Sequence, residues 1–367
     1  MTQTLNISVP FLPSRREMHG HAPDGSDTAW AFNLEAAAVL LIVGGQLLGA
    51  LSAAGALPPG EVQQWLNDCL FPLQMPVLFF CLGYLYQRFN AVRSRPAWVA
   101  FMKREALVLL VPFAVFTLVI LGANTLAGRA PALTLASLAD ALLIQPLEPL
   151  GYLYTAFLLL AITPTVKSRR NAYGLLLAAA LVKVAIVALL TAPATAGPTA
   201  SLPFALTSMA ESWIWLAGGM AVALLRALPL LRSSEKAWAL GALWIAASVI
   251  TFMVGGIGEL SHAVLDAIGI LWGVSLFATV FRQGHQDGFF GFITRFTMAL
   301  FLMGGPFITL AWGLLGLMGL TGAGAPVAYV ATGLVAAFVL PVLMQKALER
   351  LGKADFVVYP ARFLPYR

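Results

Sequence analysis

Runs of roughly 20 mostly apolar residues, the length a helix needs to cross a bilayer, recur along this chain, separated by short stretches rich in Pro, Gly and charge. They predict ten spans, at 36–54, 70–88, 106–127, 150–166, 172–192, 206–226, 237–256, 263–282, 297–319 and 327–346. The implied fold class is all-α integral membrane, with about ten transmembrane helices. Residues 1–32 read as a polar N-terminal arm, 33–349 as one membrane domain and 350–367 as a basic, aromatic tail. No second domain and no internal repeat is found.

Composition agrees with the pattern. At 60% hydrophobic residues, 10% charged residues and a mean hydropathy of +0.85, a 367-residue chain carries more apolar surface than one soluble core can bury. Charge adds an orientation. Of the 22 Lys and Arg residues, all but Arg129 and Lys183 lie in the two termini, or in and beside the connections that follow spans two, four, six and eight. Basic residues are retained on the cytoplasmic side, so a multi-pass inner-membrane protein with both termini in the cytoplasm is expected. The net charge of +6 then reflects topology, and the expected partner is the lipid bilayer, with no nucleic acid.

The "SRREM" at 14–18 and the "LSAAGA" at 51–56 have the flavour of an export signal, but the apolar run is too long for one and nine more follow, so it is read as the first span. Cys69 and Cys81 are about 18 Å apart along one helix at 1.5 Å per residue, too far to bridge, and two free thiols are expected. The longest connections on the outer side are 55–69, 128–149 and 193–205. "PPGEVQQWLND" at 58–68 reads as a Pro-initiated amphipathic turn of helix. Pro146-Leu147-Glu148-Pro149 gives span four a kinked start, which predicts that the 128–149 loop dips toward the membrane.

Four stretches carry a family resemblance: "LFPLQMPVLFFCLGYLYQRF" at 70–89, "FMKREALVLLVPF" at 101–113, "LGYLYTAFLLL" at 150–160 and "ITRFTMALFLMGGPFI" at 293–308. In this order, and with ten spans, the chain resembles the acyltransferase-3 family of multispanning membrane O-acyltransferases. The resemblance implies transfer of an acetyl or succinyl group from a cytoplasmic donor, acyl-CoA, to hydroxyls of a cell-surface polysaccharide or glycolipid. It implies a glycan or lipid-linked glycan acceptor and no bound cofactor.

The family carries a cation and a histidine eleven positions apart in its first span, and a further histidine late in the chain. Aligned on this sequence, those positions hold Glu35, Gln46 and Gly304. Eleven residues make three helical turns plus about 20°, so Glu35 and Gln46 share a face roughly 16 Å apart. The spacing is kept while the chemistry is altered: a carboxamide orients a hydroxyl without accepting its proton, and an acid has the wrong sign to hold a phosphate. Either other residues do the chemistry, or acyl transfer is lost and the scaffold serves as a noncatalytic transport or scaffold subunit beside a partner enzyme of a polysaccharide pathway.

Other side chains are candidates for the missing chemistry. Lys183 lies mid-span, where a charge costs about 2.5–3.5 kcal/mol, which points to a polar cavity or to structural pairing. Glu211 is a partner for it or a proton acceptor in its own right. "GELSHAVLD" puts Glu259, His262 and Asp266 on one helical face, where an acid can orient an imidazole base. The alternative is a solvated, acid-rich first turn. Gln74, Tyr152 and Tyr154 sit near outer span ends, as a sugar-binding surface or as an interfacial belt, and Asp68 lies beside them. His19 and His21 read as part of a solvated arm, and no zinc pattern or phosphate loop is found, so no metal is expected.

Overall fold

The computed structural model describes residues 28–58, 60–89, 95–126, 134–190, 203–254, 258–281 and 288–363. Among these residues the fold is all-helical, with nine helices long and apolar enough to cross a membrane. They are α1 (Ala29–Ala53), α2 (Glu61–Phe89), α3 (Arg95–Thr125), α6 (Arg169–Leu190), α7 (Phe204–Leu225), α8 (Ser234–Val254), α9 (Glu259–Val280), α10 (Phe289–Leu317) and α11 (Pro326–Arg350). Two shorter apolar helices, α4 (Leu135–Ile144) and α5 (Gly151–Ile162), lie between α3 and α6.

Nine predicted spans therefore appear as long helices, several of them extended. The first begins at Ala29, inside the predicted arm, because Trp30 is wholly buried with its ring 4.7 Å from that of Tyr84. The amphipathic turn at 61–65 continues into span two through a π-helical turn at Leu66–Leu70 and a 3₁₀ turn at Phe71–Leu73.

The run at 150–166 behaves differently: its helix stops at Ile162, Thr163 is extended and residues 163–167 are not helical. Pro164 biases the residue before it away from helix. A non-helical backbone within a membrane domain must find partners inside the protein. Gln87 of α2 supplies them at Val166, donating from Nε2 to the carbonyl at 2.7 Å and accepting the N–H on Oε1 at 2.9 Å. Thr163 Oγ1 accepts the indole N–H of Trp213 at 3.0 Å.

The interior is organised around α1, which packs against α2, α9, α10 and α11. α2 and α7 cross at backbone contact. A Cβ on Gly83 would lie 2.0 Å from the carbonyl oxygen of Leu216, and one on Gly219 would lie 2.0 Å from that of Phe80. Small residues permit such close helix approach where apolar lipid leaves packing as the main drive to associate. α6 and α8 lie outside, on α7 and α9, and present large apolar side chains outward: Leu177, Val184 and Ile250 are each more than 60% exposed. In a lipid solvent such faces are ordinary.

The chain ends in a docked cap. Residues 352–363 fold into two 3₁₀ turns, with Asp355, Val358 and Tyr359 buried. Arg362 bridges Glu349 and Asp355, Arg295 reaches Glu349 at 3.1 Å, and the Tyr359 hydroxyl donates to the Arg295 carbonyl at 2.9 Å. The Arg362 guanidinium also lies 4.2 Å from the Tyr359 ring.

Candidate functional site

A cavity of about 310 Å³ lies among the C-terminal halves of α1, α3 and α10 and the segment leading into α5. Its volume is at the lower end of the range for small-molecule sites. Four polar side chains line it: Gln46 from α1, Asn124 from α3, Glu148 from the turn before α5, and Thr309 from α10. Leu150 and Phe301 contribute to the apolar remainder. Pro149 shares the wall, so the Pro-Leu-Glu-Pro segment does reach into the domain.

Each polar group has a local reason for its place. Gln46 is half-buried, and its Oε1 is buried with no hydrogen-bond partner. It fits because α10 passes it with Gly305, where a Cβ would stand 3.1 Å from that oxygen. Glu148 is exposed, but its backbone is anchored on both sides. Pro146 and Leu150 are buried, the Gly151 N–H donates to the Leu147 carbonyl at 3.0 Å, and Gly151 leaves room for the Phe204 ring, which a Cβ would approach to 2.7 Å. The preceding bond, Glu148-Pro149, is cis. Asn124 and Thr309 are half-buried at the last turns of their helices that face the cavity.

The other sequence candidates lie elsewhere. Glu35 is buried near the start of α1 with one carboxyl oxygen unpartnered, and Cys81 and Tyr152 are within its electrostatic reach. No cation pairs with it among the described residues. Gly304 faces packing rather than the cavity, since a Cβ there would meet Val43 at 3.3 Å and the Ala337 carbonyl at 3.5 Å. Tyr152 is buried between Phe79, at 4.7 Å, and Phe301, at 6.0 Å, while Tyr154 stacks on Phe113 at 5.6 Å. Gln74 has a buried, unpartnered Oε1 at the head of the α-helical part of α2.

Lys183 and Glu211 do come together, in the seam between α6 and α7. The ammonium donates to the Glu211 backbone carbonyl at 3.4 Å and lies 5.7 Å from the Trp215 ring. His262 is half-buried one turn into α9 and Asp266 is buried one turn further on; the Glu259 side chain lies outside the described residues, as do His19 and His21. Cys69 and Cys81 are free and buried. Among the described residues no group of three or more His, Cys, Asp and Glu side chains is placed to hold a metal ion.

Sequence reasoning missed Asn124, Glu148 and Thr309. Glu148 did carry a signal, an acid held between two prolines at a helix start, but sequence showed only its effect on the loop.

These features define a multi-pass membrane protein of all-α architecture with a small, mostly apolar cavity that four polar side chains enter. The sequence matches the acyltransferase domain family over residues 32–346, and the chain therefore belongs to the acyltransferase-3 family. No curated protein and no solved structure matches it.

Proposed function

We propose that this protein is an inner-membrane O-acyltransferase that moves a small acyl group, acetyl or succinyl, from acyl-CoA to a hydroxyl of a cell-surface polysaccharide or glycolipid. The observation that carries this reading is the cavity: within a domain of the acyltransferase family, polar side chains from three helices and a turn converge on a space sized for a small ligand. The distribution of Lys and Arg supports cytoplasmic termini, and with that orientation the cavity would lie in the outer half of the domain, toward a surface acceptor. An apolar wall with few polar groups suits a reaction from which water must be kept, since hydrolysis of the thioester competes with transfer.

A second reading is favoured by one feature. Gln46 stands where the resemblance places an imidazole, and a carboxamide takes up no proton near neutral pH. On that reading the same cavity binds a lipid-linked glycan or the acyl donor without turning it over, in the service of a partner enzyme. The two separate in an assay of purified protein in lipid nanodiscs with radiolabelled acetyl-CoA or succinyl-CoA and glycan from the cell envelope. Label appearing in the glycan as an alkali-labile ester is the expected result. Donor or glycan binding with no ester formed would establish the noncatalytic role instead.

A further inference from the structure

Ester formation from a thioester and an alcohol needs a group that takes the hydroxyl proton as the oxygen attacks. Of the four polar side chains around the cavity, two are carboxamides and one is an alcohol, and none of these accepts a proton near neutral pH. Among the described residues Glu148 is the one ionisable side chain in the wall. We propose that Glu148 is the general base of the acyl transfer, with Gln46 as a positioning residue that holds the acceptor through a hydroxyl next to the reacting one; this rests on the acyltransferase reading given above.

The geometry favours this division of roles. Glu148 is exposed and lines the cavity, while buried Pro146 and Leu150 and the Leu147–Gly151 hydrogen bond fix its backbone. A fixed backbone confines the carboxylate to the reach of its own rotamers at the cavity wall. Gln46 contributes a buried acceptor oxygen that has no partner within the protein and that Gly305 leaves uncrowded. A sugar hydroxyl beside the reacting one can donate to that oxygen and satisfy it, which leaves the single proton of the reacting hydroxyl for the Glu148 carboxylate. Asn124 and Thr309 add donors able to hold the carbonyl oxygen as charge develops on it.

The step balances within these groups. The acceptor oxygen bonds to the thioester carbonyl carbon and its proton passes to the Glu148 carboxylate. The carbon–sulfur bond breaks with its electron pair on the coenzyme sulfur. Glu148 then returns the proton to that thiolate, giving ester and thiol and regenerating the carboxylate.

The test compares wild type, Glu148→Gln and the double variant Gln46→His/Glu148→Gln, each in nanodiscs with labelled acetyl-CoA and envelope glycan. Glu148→Gln preserves size on an exposed side chain, so a monodisperse, folded protein is expected. Its kcat should fall about 10²- to 10⁴-fold, with a smaller change in the KM for acceptor. Adding Gln46→His should restore part of the turnover through an imidazole in the same cavity wall. That restored activity should decline as pH falls through about 6.5, where imidazole protonates and can no longer serve as base. If wild type turns over and Glu148→Gln keeps its kcat, or loses efficiency only through KM, Glu148 is not the base although the enzyme reading stands. If wild type forms no ester with any acceptor, the enzyme reading fails and this proposal with it.

Discussion

Single side chains here are governed by what the membrane domain lets them meet. Lys183 shows this: half-buried on α6, its ammonium finds a backbone carbonyl and an indole face on the neighbouring helix. A hydrogen bond to a charged group and a cation–π contact each contribute about 1 kcal/mol or more. Lys183→Met should therefore lower the thermal midpoint in detergent by loosening α6 from α7, and leave turnover per folded molecule within about threefold, since the residue is not part of the cavity wall. A turnover loss beyond that without a stability loss would return Lys183 to the chemistry. Of the pair that sequence spacing singles out on α1, Gln46 lines the cavity and Glu35 does not. Spacing could not find Glu148. Gln46 and Glu148 are 102 positions apart, and only the packing of α1, α3, α10 and the turn before α5 brings them to one space.

Helices associate here by close approach and by pairing backbone that a break has freed. At the α2–α7 crossing, the ideal Cβ positions of Gly83 and Gly219 fall on carbonyl oxygens that cannot move aside as a flexible side chain would. Gly83→Ala should destabilise by about 1–3 kcal/mol, read as a lower melting temperature in detergent. Gly174→Ala on α6 is the control, because a Cβ there meets nothing within 4 Å and alanine is the better helix former. Equal melting temperatures for the two variants would refute the tight crossing. Gln87→Ala removes both partners of Val166, and about 1–3 kcal/mol is expected from each buried group left unsatisfied. Hydrogen exchange at 163–167 should speed up in that variant; unchanged protection would show that Gln87 is dispensable. Nine long helices were legible because an apolar run of sufficient length has few alternatives in a bilayer. The shortening of the fourth was half legible: Pro164 marks the break, but the Gln87 clamp comes from 79 residues away.

At the scale of the whole molecule, the proposed reaction links orientation to activity, because it requires a donor from the cytoplasm and an acceptor at the surface to meet in one cavity. Orientation can be read with Gly60→Cys and Lys353→Cys, two exposed positions at opposite ends of the domain, against a background of two buried native cysteines. An impermeant maleimide should label Gly60→Cys in intact spheroplasts and Lys353→Cys only after lysis; the reverse would invert the topology. The fold class and the family follow from the chain's periodicity and motifs, while the activity depends on a constellation assembled in three dimensions. The most direct measurement is therefore a single-turnover experiment on the purified protein in nanodiscs, with labelled acetyl-CoA and envelope glycan. The account predicts labelled ester from wild type at a rate that Glu148→Gln lowers by at least about 10²-fold. Wild type and Glu148→Gln forming ester at the same rate, or wild type forming none while remaining folded, would contradict it.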